Sequence, residues 1–281
     1  MKRLIAGLAA LCALTAANAQ IADISAAEPL LRGTQSNLYN PVLSPDGSRL
    51  LFSDADYSNL RMYDFNLNAT VTVSAEGRSG YDASFDADGL GVTFTTQTTG
   101  RQGGCLRTLC HYDIATQAVS TLAPASRRAP AVRYRSGDAA VRTEDATLYI
   151  TSGGREQGYS PVEAAAYLWA SLSPDGTKAM FVAAGKGVYI TDLEGRVVSF
   201  AGNYEAPVWF GNDCIVAQKS TDDGHQFRSS QIVLVKADGS AVQEITRPES
   251  MTFTPAASIA AGRIVYSTID GYLYQVTATL K

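Results

Sequence analysis

The sequence predicts an all-β fold, a six-bladed β-propeller with four antiparallel strands per blade. Three observations carry this prediction: one hairpin motif recurs along the chain, each copy belongs to a unit with four strand-forming runs, and helical periodicity is almost absent. The fullest copy is Pro41-Val42-Leu43-Ser44-Pro45-Asp46-Gly47-Ser48-Arg49-Leu50-Leu51-Phe52-Ser53. Val42-Leu43 and Leu50-Leu51-Phe52 are strand formers. Between them Pro45 presets φ, and Asp46-Gly47 supplies a side-chain-to-backbone bond followed by a positive φ. A second copy runs from Ala83 to Phe94 around Asp88-Gly89, and a third, nearly verbatim, from Ser171 to Phe181 around Ser173-Pro174-Asp175-Gly176.

Aligned on the residue that opens the innermost strand, the units begin at Pro41, Ala83, Pro130, Ala170, Pro207 and Pro255, spaced 37 to 48 residues apart. In the first unit the second, third and fourth strands read as 49–53, 59–64 and 70–74, and in the second as 91–95, 106–113 and 118–122. The third unit lacks the Pro-Asp-Gly turn; its strands read as 131–135, 139–144 and 147–151, with the fourth not legible. The fourth unit gives 179–183, 187–192 and 196–200. The fifth gives 207–210, 214–218, 231–236 and 242–246. The sixth, 256–259, 263–268 and 272–277, stops one strand short. The missing strand is expected near Leu30-Leu31, so that N- and C-terminal strands close the ring and remove the free sheet edges. Only 162–166 has the composition of a single helical turn.

Residues 1–19 read as a secretory signal peptide: Lys2-Arg3, an apolar run from Leu4 to Ala17, and the small-residue signal Ala17-Asn18-Ala19. Cleavage after Ala19 leaves a single domain, 20–281, expected to be periplasmic or secreted. The apolar run is too short to span a bilayer, and Cys12 lies within it rather than after a small residue at its end, which argues against a lipid anchor. Removing Lys2 and Arg3 leaves 21 Lys and Arg against 27 Asp and Glu, a mature net charge near −6. That balance excludes nucleic acid as the expected partner. No linker-like composition divides the chain, which is expected to act as a monomer.

The pattern Leu43-Ser44-Pro45-Asp46-Gly47 with Leu51-Phe52, repeated at Leu172-Ser173-Pro174-Asp175-Gly176 with Met180-Phe181 and followed by Tyr63-Asp64 or Thr191-Asp192, resembles the WD40-like repeat of the TolB propeller, which also occurs in prolyl-oligopeptidase-type propellers. The resemblance covers roughly residues 28–277. The α/β domain that precedes the propeller in TolB has no counterpart in these residues. The resemblance implies a binding role, since TolB-like proteins dock partners on the propeller. The turn motif itself is scaffold, and the same scaffold carries unrelated activities.

Candidate chemistry is sparse. His111 and His225 fall on different units, so neither a Ser-His-Asp site nor the histidine-held metal of related lyases is expected, and no cofactor is implied. His111 reads as a structural strand residue and His225 as part of an exposed loop. The acidic loops Asp54-Ala55-Asp56 and Asp222-Asp223-Gly224 do not complete an EF-hand, because Asn59 and Phe65 stand where its glycine and glutamate belong. Cys105 and Cys110 frame four residues behind a glycine-rich stretch in an exported chain, so a local disulfide is expected if the segment bends. Cys214, beside Ile215-Val216, reads as a buried thiol.

The remaining feature is the rim of the central channel. The loops leading into the innermost strands carry Tyr39-Asn40, Tyr81-Asp82, Arg127-Arg128, Tyr167 with Trp169, Tyr204-Glu205 and Phe253. Rings interleaved with short polar groups suit recognition of a peptide or a sugar. The expected role is non-catalytic binding of an envelope protein or peptide, or of a glycan, through Tyr39, Asn40, Tyr81, Asp82, Arg128, Tyr167, Tyr204, Glu205 and Phe253. The alternatives are a carbohydrate-active enzyme using Asp82 and Glu205, which needs a carboxylate separation of about 5 to 9.5 Å, and a structural subunit of an envelope complex.

Overall fold

A computed structural model of the chain describes residues 17–18, 20–31, 36–100, 103–127 and 134–281. Six sheets follow the six repeats, each an antiparallel meander. Blade 1 is built from Tyr39–Leu43, Arg49–Ser53, Leu60–Asp64 and Ala69–Ser74, and blade 4 from Tyr167–Leu172, Lys178–Ala183, Gly187–Asp192 and Val197–Gly202. The motif-poor blade 3 is complete as well: Tyr134–Ser136, Ala139–Glu144, Thr147–Ser152 and, as the strand not legible in sequence, Arg155–Tyr159. The helical turn expected at 162–166 is not formed. Among the described residues, helix is confined to a 3-10 turn at Pro248–Ser250.

The core is not one mass but a series of seams between neighbouring blades. Leu51, Leu60 and Met62 of blade 1 pack with Val92, Phe94 and Tyr112 of blade 2, whereas Leu50 and Phe52 pack with Val265 and Leu273 of blade 6. Side chains alternate across a strand, so consecutive residues of one second strand feed opposite seams. This is why those strands read as unbroken apolar runs, Leu50-Leu51-Phe52 and Ala179-Met180-Phe181-Val182.

The Pro-Asp-Gly turn is more than a local hairpin. Ser44 donates to Asp46 Oδ1 at 2.6 Å, the Ser48 amide donates to the same oxygen at 3.0 Å, and Gly47 takes φ 69°. These bonds, the Ser44 hydroxyl foremost, hold the Asp46 carboxyl down to about 2. The turn also locks onto the preceding blade: Ser258 donates to Pro45 O at 3.0 Å and Arg263 to Gly47 O at 2.8 Å. A Cβ on Gly47 would fall 2.4 Å from that of Ala261. Blade 4 repeats the arrangement, with Ser136 of blade 3 donating to Pro174 O at 2.9 Å.

Ring closure joins the two ends of the chain, as expected. Ala22–Ile24 pairs antiparallel with the end of Leu273–Leu280, Glu28–Pro29 pairs with Gln275 and Tyr274, and the Leu30 amide donates to Leu273 O at 2.8 Å. The pairing begins earlier than Leu30-Leu31 and runs past a break at 25–27. Gln243 of blade 5 seals the joint: its Oε1 accepts from the Ile21 and Ala22 amides at 2.6 and 2.8 Å, and its Nε2 donates to Ala22 O at 2.9 Å. Just before this, Ala17–Asn18 lies parallel to the outer strand of blade 5.

Candidate functional site at the channel mouth

The innermost strands share a device that the repeat does not announce. Tyr39 pairs with Ser53 and Val42 with Leu51, so Asn40 and Pro41 together face the single residue Phe52. The same bulge occurs between Leu168 and Ser171, between Glu205 and Val208, and between Phe253 and Ala256. Its first residue is left-handed, with Asn40, Trp169, Ala206 and Thr254 at φ 44 to 53°, and Asp82, in the turn before the innermost strand of blade 2, takes the same conformation at 53°. Glycine is the usual occupant of that conformation, and a tryptophan, an alanine or a β-branched threonine there is strained. The bulge turns the strand where it meets the mouth. It therefore presents two positions per blade: Tyr39-Asn40, Tyr81-Asp82, Leu168-Trp169, Glu205-Ala206 and Phe253-Thr254.

Most of the expected rim residues stand in this ring. Tyr39 Oη donates to Ile269 O at 2.9 Å, and Asn40 Nδ2 to Ser53 Oγ at 3.1 Å. Tyr81 is 39% exposed and meets Tyr57 edge to face, with ring centroids 5.4 Å apart. Asp82 is exposed; the protein around its carboxyl removes part of its solvation and raises its pKa, and Arg107 opposes the shift. Glu205 accepts from Gln218 Nε2 at 3.0 Å and from Ser220 Oγ at 2.7 Å, which ties it to its own blade. Phe253 packs against Phe227 at 5.3 Å.

Two expected residues belong to the seams instead. Tyr167 is buried, packed 4.5 Å from Phe181 and bonded through its hydroxyl to Val162. Tyr204 is half-buried against the blade 4–5 core, where burial raises its phenol pKa. The bulge register makes Leu168 and Trp169, not Tyr167, the blade 4 equivalents of Tyr39 and Asn40, and both are exposed. A signal for this was present, since each pair immediately precedes the aligned Pro or Ala. Arg128 lies outside the described residues.

The second and third strands of blades 2 and 5 reach nine or ten residues, Gly91–Thr99 with Cys105–Asp113 and Cys214–Asp222 with Phe227–Lys236, against five or six in blades 1, 3 and 4. At about 3.3 Å per residue, each hairpin rises roughly 10 Å above the mouth. Blades 2 and 5 lie three apart in a ring of six, so the two hairpins face each other across the channel.

The blade 2 hairpin overturns the expected disulfide. Cys105 and Cys110 sit in one continuous strand, so their Cα atoms are about 16 Å apart and their side chains point to opposite faces, far outside disulfide reach. Cys105 is free and exposed, and Cys110 is free and buried. Cys214 is buried, as its neighbours imply. His111 is a strand residue whose Nε2 lies 2.7 Å from Asp86 Oδ2, and His225 sits at the exposed tip of the blade 5 hairpin. The carboxylates of the acidic loops are engaged internally, Asp54 by Arg61 and Asn59 and Asp223 by Arg228.

No family model and no curated protein matches the sequence. Among solved structures the architecture defines a six-bladed propeller of the TolB-like kind. TolB from Acinetobacter baumannii superposes with a TM-score of 0.57 at 17% identity, over 79% of this chain and 57% of that one; this chain thus spans little more than half of that protein. A putative TolB from Agrobacterium tumefaciens gives 0.56 at 15% identity over 88% and 92%. An oligogalacturonate lyase in complex with manganese gives 0.54 at 14% over 89% and 78%. The likeness is one of fold.

Proposed function

We propose that the protein is an exported, non-catalytic binding module that docks a partner protein or peptide on the channel-mouth face. The observation that carries this reading is the contrast between the two faces. The Pro-Asp-Gly face repeats because each turn locks a seam. The mouth presents a different pair of side chains on each described blade, with exposed Tyr81, Leu168 and Trp169 among them, as recognition surfaces do. Strained bulges held at equivalent positions agree with a site whose geometry is maintained at some cost in stability. The test is a pull-down from envelope extract with wild type and a Tyr81→Ala/Trp169→Ala variant. Loss of the captured protein, with unchanged melting, supports the reading; at a hot spot each ring contributes about 2 kcal/mol or more. Undiminished capture overturns it.

A carbohydrate-active enzyme is the second reading. It draws on the raised carboxyl of Asp82, which suits a general acid, and on the shared fold of the oligogalacturonate lyase. Against it, Glu205 is bonded within blade 5, three blades away from Asp82. Turnover of an oligosaccharide panel, abolished by Asp82→Asn, would favour this reading over the first.

A further inference from the structure

We propose that Glu205, with Phe227 and Phe253 beside it at the top of the seam between blades 5 and 6, forms a subsite for an arginine side chain of the partner protein; this rests on the rim reading above. Glu205 is exposed, yet its carboxylate is fixed: Oε2 accepts from Gln218 Nε2 at 3.0 Å and from Ser220 Oγ at 2.7 Å. Gln218 is 5% exposed, and its own Oε1 accepts from the Thr254 amide at 3.1 Å. One glutamine amide therefore joins the blade 5 carboxylate to the left-handed bulge residue of blade 6. Next to that residue, Phe253 meets the exposed Phe227 of the blade 5 hairpin, with ring centroids 5.3 Å apart and 61° between the ring planes. The acids of the Pro-Asp-Gly turns differ, since Asp46 and Asp175 accept from hydroxyls and amides of their own turns and so close them. The bonds to Glu205 come from side chains alone and close no turn; they decide where an exposed carboxylate points. Such ordering costs rotamer freedom, and it is what a preorganised binding group requires.

The class of ligand follows from which polar groups remain open. Ser220 Oγ donates to Glu205, Thr254 Oγ1 shares a hydrogen bond with Ser267 Oγ at 2.9 Å, and both polar atoms of the Gln218 amide are taken. Among the described residues, Glu205 Oε1 has no donor and no cation pairs with Glu205. A sugar brings many hydroxyls and would meet few open partners here. An arginine brings one cation on an apolar stem: its guanidinium donates to Glu205 Oε1, while its planar face and methylenes lie against the phenylalanine rings. The nearest cations of the chain are directed elsewhere. Lys219 alternates to the blade 4 side of its strand, the side of Ala217 and Val233, and Arg228 is bound to Asp223.

The test is NMR titration of the isotopically labelled protein with acetyl-Gly-Arg-Gly-amide, beside the citrulline peptide, which keeps the shape without the charge, the lysine peptide and cellotriose. Salt at about 0.15 M screens long-range attraction to the negative chain. The arginine peptide is expected to give saturable shifts centred on the Gln218 side-chain amide, Thr254 and Phe227, with an affinity about tenfold or more above that of the citrulline peptide. Glu205→Gln should abolish that preference, and Asp222→Asn, which removes a charge from the adjoining hairpin, should leave it unchanged. Gln218→Met, with native melting, should narrow the preference; an unchanged preference removes the positioning role from Gln218. Absence of saturable shifts at these residues, survival of the preference in Glu205→Gln, or an equal loss in Asp222→Asn overturns the subsite. Tighter binding of the lysine peptide overturns the arginine assignment, and tighter binding of cellotriose overturns a peptide ligand. The rim reading fails separately: if Tyr81→Ala/Trp169→Ala loses no captured protein while the arginine peptide still binds at Glu205, the subsite stands without it.

Discussion

Replacing Gln243 with Ala removes the side chain that joins the closing strand to blade 5, and its effect can be worked from three bonds. The Ile21 and Ala22 amides both donate to Gln243 Oε1, and Gln243 Nε2 donates to Ala22 O. Ile21 is 4% exposed and Ala22 is fully buried, so water replaces these partners poorly. Two amides orphaned at about 1–2 kcal/mol each give a loss of about 3 kcal/mol. For a domain of this size, that lowers the thermal midpoint by roughly 6–12 °C. The assay is urea unfolding with thermal melting, beside Gln226→Ala, an exposed position whose side chain makes no bond in the structure, as the control. A cooperative transition with the same m-value and a lower midpoint is expected, since the folded ring is weakened without being opened. A change within about 0.5 kcal/mol, the usual range for a surface substitution, would refute the claim that Gln243 carries the closure.

Ala206→Gly should stabilise the protein by about 0.5–1 kcal/mol, the left-handed penalty of about 1–2 kcal/mol less the extra unfolded-state freedom of glycine; urea midpoints check this, and destabilisation refutes the strained bulge. Asp46→Asn should flatten the acid limb of the stability curve. The folded-state carboxyl sits near 2 and the unfolded one near 3.9, so its contribution is complete above about pH 4 and is lost as pH falls from about 4 to about 2. If wild type and variant lose stability in parallel over that range, the turn bonds do not persist in solution. Under native conditions a maleimide should label Cys105 rapidly and Cys110 and Cys214 only after denaturation, because both are buried and burial raises their thiol pKa values. Labelling of Cys110 at the rate of Cys105 would contradict the strand geometry.

The hairpin chemistry of Ser44 to Phe52 is local, so the turns, the strand order and the period of the repeat were legible without any tertiary information. Strand bounds such as Arg49–Ser53, Gly187–Asp192 and Arg263–Thr268 are those the residues predict, because Pro, Gly and Asp punctuate the chain at those points. The one-strand deficit at the C-terminus likewise implied closure by the N-terminus. The candidate site was legible only in part. Tyr39, Asn40, Tyr81, Asp82, Glu205 and Phe253 were found because they precede the aligned Pro or Ala. In blade 4 the same offset points to Leu168-Trp169 before Ala170; Tyr167 lies one residue too early and packs in the seam, and why that offset matters is visible only in the bulged pairing with the second strand. Cys105 and Cys110 looked joinable because spacing along the chain does not say whether a segment bends. The unbroken pairing of Cys105–Asp113 with Gly91–Thr99 keeps it straight. Local sequence determined what repeats, because each turn is satisfied within a few residues. Only the packing of blade on blade decided what differs between them, because burial, register and charge at the mouth are properties of neighbours far apart in the chain.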